Sequence, residues 1–427
     1  MAKKVRLVRI CLIADVRSPI AQNWIRYLIR AGHEIHLISS YPCAAESLSV
    51  ASFYTAPVAF SWLPTRKLAE ARSQLHGARR RSVRTCLSKD KLLAAGMMVK
   101  YWFGPLDMYR HVGKVRQLIG TIKPDLVHAM RIPFEGMLAA EGLRDSRLPL
   151  LVSVWGNDFT LQAYGSPLMR HMTRRTLRRA DALHPDCYRD LQMAYQWGFA
   201  VTKPAVVLPS GGGIQTDVFH PGPPTAQIAE RWKIPVATHV VLNPRGIRGY
   251  VRNDTFFQAI PLVREKNPTV TFLGLAMQGV RVAEEWVERL QISPATYLLP
   301  AVSRAEMADL FRLATVTVSP SDHDGTPNTL LESMACGAFP VAGNIESVRE
   351  WLEDGVNGLL CDQRSPESLA SAILRALDDS ELRAKAAVHN QRLVAERAEH
   401  EKVMARAEAF YLQVMQETSQ TRTSIRN

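Results

Sequence analysis

Cysteine is scarce in this chain. Six of 427 residues are Cys, scattered from Cys11 to Cys361, and no two form a C-x-x-C pair. That spacing argues against a disulfide framework and against a cysteine zinc centre, and it makes a reducing compartment the default. Long apolar runs are also missing. No stretch of about 18 apolar residues occurs, so no transmembrane helix is expected. The basic start MAKK leads into a short apolar run that contains Arg6 and Arg9 and ends at Asp15. It reads as a first buried strand rather than a signal peptide. Acidic residues are outnumbered, 40 against 53 Lys and Arg, for a net charge of +13. The excess favours an anionic partner: nucleic acid, an acidic membrane face or a phosphorylated small molecule.

What is present is globular. With 47% hydrophobic residues the chain suits two domains of roughly 200 residues rather than one core. Residues 6–14 read as a strand. Ile20, Trp24, Ile25, Leu28 and Ile29 recur at helical spacing, Gly32 stops that helix, and EIHLISS supplies a second strand. Strand, helix and strand within about 35 residues make a βαβ unit and hence a parallel sheet. DLVHAM and PLLVSVWG add strands whose carboxyl ends carry His128, Arg131, Asn157 and Asp158. Ligands bind at that end of open parallel sheets. Composition shifts to Gly and Pro over 207–227, the best linker. The alternation then restarts with THVVLNP, PTVTFLG, ATYLLP and ATVTVSP, and residues from about 366 to 414 read as helical.

Two basic segments stand out. Residues 66–91 hold nine basic and two acidic residues, and a second cluster comprises Arg174, Arg175, Arg178 and Arg179. Each is either a solvated helical face or a surface for anionic lipid or a charged acceptor. Neither has the interleaved aromatics of a single-strand nucleic-acid platform, so nucleic acid is the weaker partner.

The chemistry concentrates in VSPSDHDGTPNTLLESMACGAFPVAGNIESVREWLEDGVNGLL, residues 318–360. A strand leads through Asp322 and Asp324-Gly325 into a helix opened by Pro327, with Leu330, Leu331, Met334 and Ala335 on its buried face. A second helix starts near Asn344 and Glu346. Two helix N-termini offer unpaired N–H groups suited to phosphate. Carboxylates repel phosphate but accept hydrogen bonds from hydroxyls, so Asp324 and Glu332 suit a sugar or ribose. The competing reading is that Asp324 caps its helix and Glu332 pairs with an arginine.

On these residues the chain resembles the retaining, nucleotide-sugar-dependent glycosyltransferases of family 4. The family's acid, glycine and second glutamate eight positions on correspond to Asp324, Gly325 and Glu332. The first is usually Glu in the family and is Asp here. The following phrase resembles Glu346 through GVNGLL, with Asn344-Ile345 where the family commonly has Gly-Gly. VVLPSGGGIQTDVFHP resembles the linker signature, and LNPRGIRGYVRNDTFFQAIPLV the segment supplying two basic residues to the pyrophosphate, here Arg245 and Arg252, with Arg248 as a rival. WGNDF resembles an N-terminal landmark in which the usual His is Trp155.

The resemblance implies an α/β chain of the GT-B class, two Rossmann-like domains facing across a cleft. It implies an acceptor-side domain over 1–205, a nucleotide-sugar domain over 206–395, and a C-terminal helix over 396–427 packing back on the first. The implied reaction moves a hexose-type sugar from a nucleotide diphosphate sugar to a glycan, lipid or small-molecule hydroxyl, as in polysaccharide biosynthesis. The alternatives are an inactive nucleotide-sugar-binding or scaffolding protein and a phosphorylase-type enzyme. Arg245, Arg252, Asp324 and Glu332 are the implied catalytic set. Gly325, Thr326, Asn328, Thr329, Leu330, Glu332 and Asn344 would hold the donor, and His128, Arg131, Asn157 and Asp158 are candidates for the acceptor or sugar. No bound cofactor is expected, and two arginines would replace a divalent metal, the Asp322-His323-Asp324 run being the donor loop. The expected location is cytoplasmic, with peripheral docking on an anionic membrane through the basic segments.

Overall fold

The computed structural model describes residues 7–43, 48–61, 86–235 and 239–424, with backbone alone for 86–95, 226 and 421–424. Of the basic segment 66–91, residues 66–85 lie outside the described residues. The contacts divide the chain into two units. One comprises the described residues up to Asp186, Asp190–Gly211 and those from Ala407 onward; the other comprises Cys187–Arg189 and Gly212–Arg406. The change of unit at Gly211–Gly212 falls within the Gly- and Pro-rich stretch.

The N-terminal unit is built on six parallel strands, β1 (Arg9–Ala14), β2 (Glu34–Ser39), β3 (Ser52–Thr55), β4 (Leu126–Ala129), β5 (Leu150–Val154) and β6 (Ala182–Pro185). Their order is β3-β2-β1-β4-β5-β6. Central strands of such a sheet are covered on both faces and so read as unbroken apolar runs. Ile10, Cys11, Leu12 and Ile13 of β1 are all fully buried. The helix Pro19–Arg30 lays Ala21, Trp24, Ile25 and Leu28 on the sheet. Gly32 follows with φ +90°, a left-handed turn in which a Cβ would also press on Leu7 at 3.3 Å.

The C-terminal unit repeats the plan with β7 (Val240–Asn243), β8 (Thr271–Gly274), β9 (Thr296–Leu298), β10 (Val316–Ser319), β11 (Phe339–Gly343) and β12 (Leu359–Cys361), in the order β12-β11-β10-β7-β8-β9 and parallel throughout. In each sheet the chain builds outward on one side, then crosses back to build the other. The reversal points lie between β1 and β4 and between β7 and β10. Beside such reversals adjacent loops diverge to opposite faces and leave a crevice at the strand carboxyl ends.

Three strands have no counterpart in the sequence reading: β3, β6 and β12. Each has only three or four residues, and β6 carries His184 and Pro185. The helical stretch from 366 to 414 is three helices, Pro366–Asp378, Ser380–Arg397 and His400–Ser424. Asp379 separates the first two and caps the second, its carboxylate accepting the Leu382 amide at 2.8 Å. The last helix changes unit at Ala407, and its Tyr411 is fully buried within the N-terminal unit.

Candidate active site

At the reversal point of the C-terminal sheet, the loops leaving β7 and β10 are stitched together. Val251 and Ser321 form an antiparallel bridge, and the Asp322 amide donates to the Tyr250 carbonyl at 2.9 Å. Arg245 lies two residues beyond β7, its amide held by the Asn243 side chain at 3.0 Å. Its buried guanidinium reaches into the second loop, donating to Asp324 Oδ2 at 2.5 Å and to Thr329 Oγ1 at 3.1 Å. Asp324 Oδ1 accepts the Gly325 amide at 3.2 Å, and the Asp324 carbonyl accepts the Ser347 hydroxyl at 2.8 Å. Burial pushes the Asp324 carboxyl upward, and Arg245 and then Arg248 oppose that shift. The short Asp side chain is thus an ion-pair partner fixed at two points, with its backbone carbonyl held at a third.

The helix Asn328–Cys336 starts beside it with no side-chain cap and stops at Gly337, whose φ is +90°. The Leu330 amide is spent on the Pro327 carbonyl at 3.0 Å, so Leu330, expected among the donor-holding residues, has no free amide to offer. Among the described residues the amides of Asn328 and Thr329 have no acceptor, and Asn328 Oδ1 is buried without a donor. Thr326 Oγ1 accepts from the Trp351 indole at 3.2 Å. Glu332 lies half-buried one turn further in. No described residue donates to its carboxylate. Burial raises its pKa to about 7, against the pull of Arg304 and Arg245.

Two residues expected in this cluster are committed elsewhere. Arg252 makes a two-pronged pair with Asp254, Nε to Oδ1 at 2.9 Å and NH2 to Oδ2 at 2.6 Å, with Asp322 3.6 Å away. Arg248, the rival, carries the second guanidinium whose field reaches Asp324. Asn344 donates its amide to the Cys361 carbonyl at 2.9 Å and accepts from Arg349 at 2.7 Å, while the Ile345 amide is used by Gly343. The second helix, Glu346–Arg349, has four residues. The amides at 344–345 are therefore spent, whereas those of Glu346 and Ser347, the first two of that helix, have no acceptor among the described residues. The two acids of the Asp322-His323-Asp324 run also diverge: Asp322 accepts from Arg364 at 3.0 Å, and Asp324 from Arg245.

The reversal point of the N-terminal sheet carries a cavity of about 250 Å³, lined by Asp15, Tyr41, Lys100, Tyr101, Arg131, Glu135 and Trp155 among others. Arg131 donates to Asp158 Oδ1 at 2.5 Å and lies over the Trp155 ring at 4.9 Å. Asp158 Oδ2 accepts the amides of Ile132 and Trp155, each at 3.2 Å, and is buried. Among the described residues Arg131 Nε is buried with no partner, as is Asn157 Oδ1. Glu135 accepts the Ser40 hydroxyl at 2.5 Å, and burial lifts its pKa. Burial and then Arg131 lower that of Lys100. Phe134 holds φ 65° and ψ −59°, a strained conformation for a residue with a side chain, and Gly104 fits against its ring where a Cβ would come within 2.9 Å.

Comparisons with known proteins cover both units. A family model described as "Glycosyl transferase 4-like domain" matches residues 18–211, and one described as "Glycosyl transferases group 1" matches 226–392. The chain belongs to the family 4 glycosyltransferases. It is 27% identical over 199 residues to D-inositol 3-phosphate glycosyltransferase of Thermobifida fusca, covering 44% of this chain and 45% of that one. The namesake from Geodermatophilus obscurus is 33% identical over 26% of this chain and 24% of its own. The chain thus spans about half or less of the length of these relatives. Among solved structures, sucrose-phosphate synthase of Thermosynechococcus elongatus aligns with a TM-score of 0.72 at 14% identity, over 96% of this chain and 99% of that one. Anabaena HepE, in complex with UDP-glucose, aligns at 0.66 and 16%, over 97% and 100%. These likenesses fix the two-domain α/β GT-B fold.

Within this family 4 chain His128 is a core residue, which removes it from the acceptor candidates. It is fully buried, its Nδ1 2.8 Å from the Tyr411 hydroxyl and its Nε2 2.8 Å from Ser153 Oγ, which in turn meets His184 Nδ1 at 2.9 Å. Burial and the neighbouring His184 hold its pKa well below the usual value, so it is neutral. The basic cluster also divides. Arg175 pairs with Glu141, and Arg179 with Asp181 and the carbonyls of Leu143, Ser146 and Leu148. Arg174 and Arg178 face solvent. Lys100, Glu135 and Asp15 were not among the candidate site residues read from the sequence. Only Asp15, at the carboxyl end of the first strand, carried a positional signal.

Proposed function

We propose that the chain transfers a sugar from a nucleoside diphosphate sugar to a hydroxyl acceptor with retention of anomeric configuration, and that the C-terminal unit holds the donor. One observation carries the reading. Arg245 is fixed between Asp324 and Thr329 beside two helix amides that have no acceptor among the described residues, with Glu332, to whose carboxylate no described residue donates, one turn away. Cation and amides suit a diphosphate, and the carboxylate suits a pair of ribose hydroxyls.

As the anomeric bond breaks, negative charge grows on the diphosphate. Fixed donors stabilise that charge without reorganising. In this reading Arg245, the amides of Asn328 and Thr329, and Arg248 supply them, and a divalent metal is not required. Asp324 contacts hydroxyls of the transferred sugar while held by Arg245 and the Gly325 amide. Those bonds make it a poor nucleophile, and no covalent glycosyl intermediate is assigned. The N-terminal cavity, with Trp155 and Tyr101 as stacking surfaces and Arg131, Asp158 and Glu135 as polar partners, is assigned to the acceptor.

The test is titration calorimetry of the full chain with UDP, GDP, ADP and their hexose esters, with and without EDTA. Since HepE was solved with UDP-glucose, that donor is the first to try. The reading expects one nucleotide to bind at least tenfold tighter than the others and binding to survive EDTA. Absence of binding by every nucleotide at millimolar concentration overturns it.

A further inference from the structure

Seven large hydrophobic side chains exposed in this chain fall within thirteen residues: Met97, Met98, Val99, Trp102, Phe103, Leu106 and Tyr109. Six of them lie on the helix Cys86–Asp107. Advancing at roughly 100° per residue, Met98, Val99, Trp102, Phe103 and Leu106 share an arc of about 140°. Each is 46–64% exposed; Gly104, Pro105 and Asp107, outside that arc, are buried, whereas Met97, also outside it, is exposed. The outer face of a helix on a globular domain is normally its polar face. This one carries two aromatic and three aliphatic side chains and no charge. A contiguous exposed apolar face marks an interaction surface.

What surrounds the face selects the partner. The helix Pro167–Arg179 packs alongside, and its exposed Arg170, Arg174 and Arg178 form a row at four-residue spacing. The chain entering the apolar helix is itself basic, with nine Lys or Arg and two acidic residues over 66–91. An apolar face alone would suit a protein groove. An apolar face with Trp and Phe, bordered by cations, suits the boundary between acyl chains and anionic headgroups. No described helix is long and apolar enough to cross a membrane, so the mode of binding is to lie in the interface.

We propose that the Met98–Leu106 face of the N-terminal unit docks into the interfacial layer of an anionic phospholipid bilayer, with Arg170, Arg174 and Arg178 against the phosphates. The claim is independent of the donor assignment, because none of these side chains belongs to either candidate site.

Co-sedimentation of the full chain with vesicles tests it, comparing pure phosphatidylcholine with a 70:30 phosphatidylcholine–phosphatidylglycerol mixture. Partition into the anionic vesicles is expected to exceed that into the neutral ones by at least tenfold at 50 mM salt and to fall as salt rises. The triple variant W102S/F103S/L106S should lose at least tenfold in partition. The charge-reversal variant R174E/R178E should lose the preference for anionic lipid while keeping the apolar face. Unchanged nucleotide affinity and melting temperature certify the fold of each, and either variant suffices if the other misfolds. Equal partition of wild type and a folded variant overturns the proposal. So does a wild-type dimer in light scattering that W102S/F103S/L106S makes monomeric, since the face would then be buried by a second copy.

Discussion

The two sheets share one topology, and both place a charged cluster where the strand order reverses, yet the clusters differ in kind. In the N-terminal cluster the carboxylates are saturated, and of its described residues only Arg131 Nε and Asn157 Oδ1 are buried and left bare: Asp158 takes a guanidinium and two amides, and Glu135 takes a hydroxyl, within walls of Trp155, Tyr101 and Tyr41. In the C-terminal unit bonding capacity is left open among the described residues: the amides of Asn328 and Thr329 and of Glu346 and Ser347, the Asn328 side-chain oxygen and the Glu332 carboxylate. Topology decides where a ligand can sit. Satisfied or unsatisfied polarity decides how tightly the protein alone holds the place. A saturated cluster is rigid without ligand, whereas an open one gains most of its partners when ligand arrives.

The largest effect is expected at the open cluster. Replacing Arg245 by Ala removes the cation that faces the leaving diphosphate and frees Asp324 to repel it. Loss of one such fixed donor costs about 100- to 1,000-fold in rate, roughly 3–4 kcal/mol. The R245A variant should therefore show kcat/KM reduced by that factor in a donor-dependent assay, with UDP affinity falling in parallel. A loss below fivefold would mean that the cluster is not where the charge develops.

At the saturated cluster the same kind of change should act on stability. Asp158→Asn leaves one acceptor for three donors, at a cost of about 2–3 kcal/mol for the buried groups left short. Urea unfolding should report that loss, while nucleotide affinity in the C-terminal unit stays within twofold of wild type. Reduced nucleotide affinity together with unchanged stability would dissolve the contrast between the clusters.

Glu332 tests the open cluster through pH. Its pKa of about 7 exceeds the unfolded value of 4.5 because burial penalises the charge. The native state therefore binds more protons between those values, and its stability contribution is full below about pH 4.5 and is lost as pH rises through 7. Ligand binding should run the other way. Only the ionised form accepts from two hydroxyls, so affinity for a nucleotide sugar should rise through pH 7 and level off above it. Glu332→Gln should flatten that profile, bind about tenfold more weakly at pH 8, or ~1.4 kcal/mol, and gain stability there. A wild-type affinity independent of pH from 6 to 8 would assign the carboxylate a structural role.

The local structure of the proposed C-terminal site was legible in sequence where local rules suffice. A strand, an acidic turn, a proline and a helix closed by Gly337 are signals within 25 residues; Arg245 bonds Asp324 and Thr329 there, and its field reaches Glu332. Long-range packing was not legible. His128 sits at a strand end like a ligand residue, but its partner Tyr411 lies 283 positions away on the last helix. Lys100 enters the N-terminal cavity from a helix that no strand pattern announces. The short strands β3, β6 and β12 are made by their neighbours rather than by their own composition. Asn344 was misplaced because the spacing of a loop does not reveal that Cys361 and Arg349 consume its polar groups.

The smallest expected effect separates two arginines that the sequence could not rank. Arg252 has an acid two positions on, and in the structure Asp254 takes both prongs of its guanidinium, with Asp322 nearby. Hydrogen bonding to Asp254 raises its pKa further, so the pair is formed at any working pH. To reach a diphosphate Arg252 must leave that pair, whereas Arg248 is held by one neutral partner, the Tyr250 hydroxyl at 2.9 Å, and already acts on Asp324. Partly exposed pairs contribute about 0–1 kcal/mol. Arg252→Ala should accordingly change stability by less than about 1 kcal/mol and donor affinity by less than about threefold, and Arg248→Ala should weaken donor binding by about five- to tenfold. The reverse order would show that ligand pulls Arg252 away from Asp254, and that the open cluster completes itself by breaking an ion pair rather than by filling empty positions.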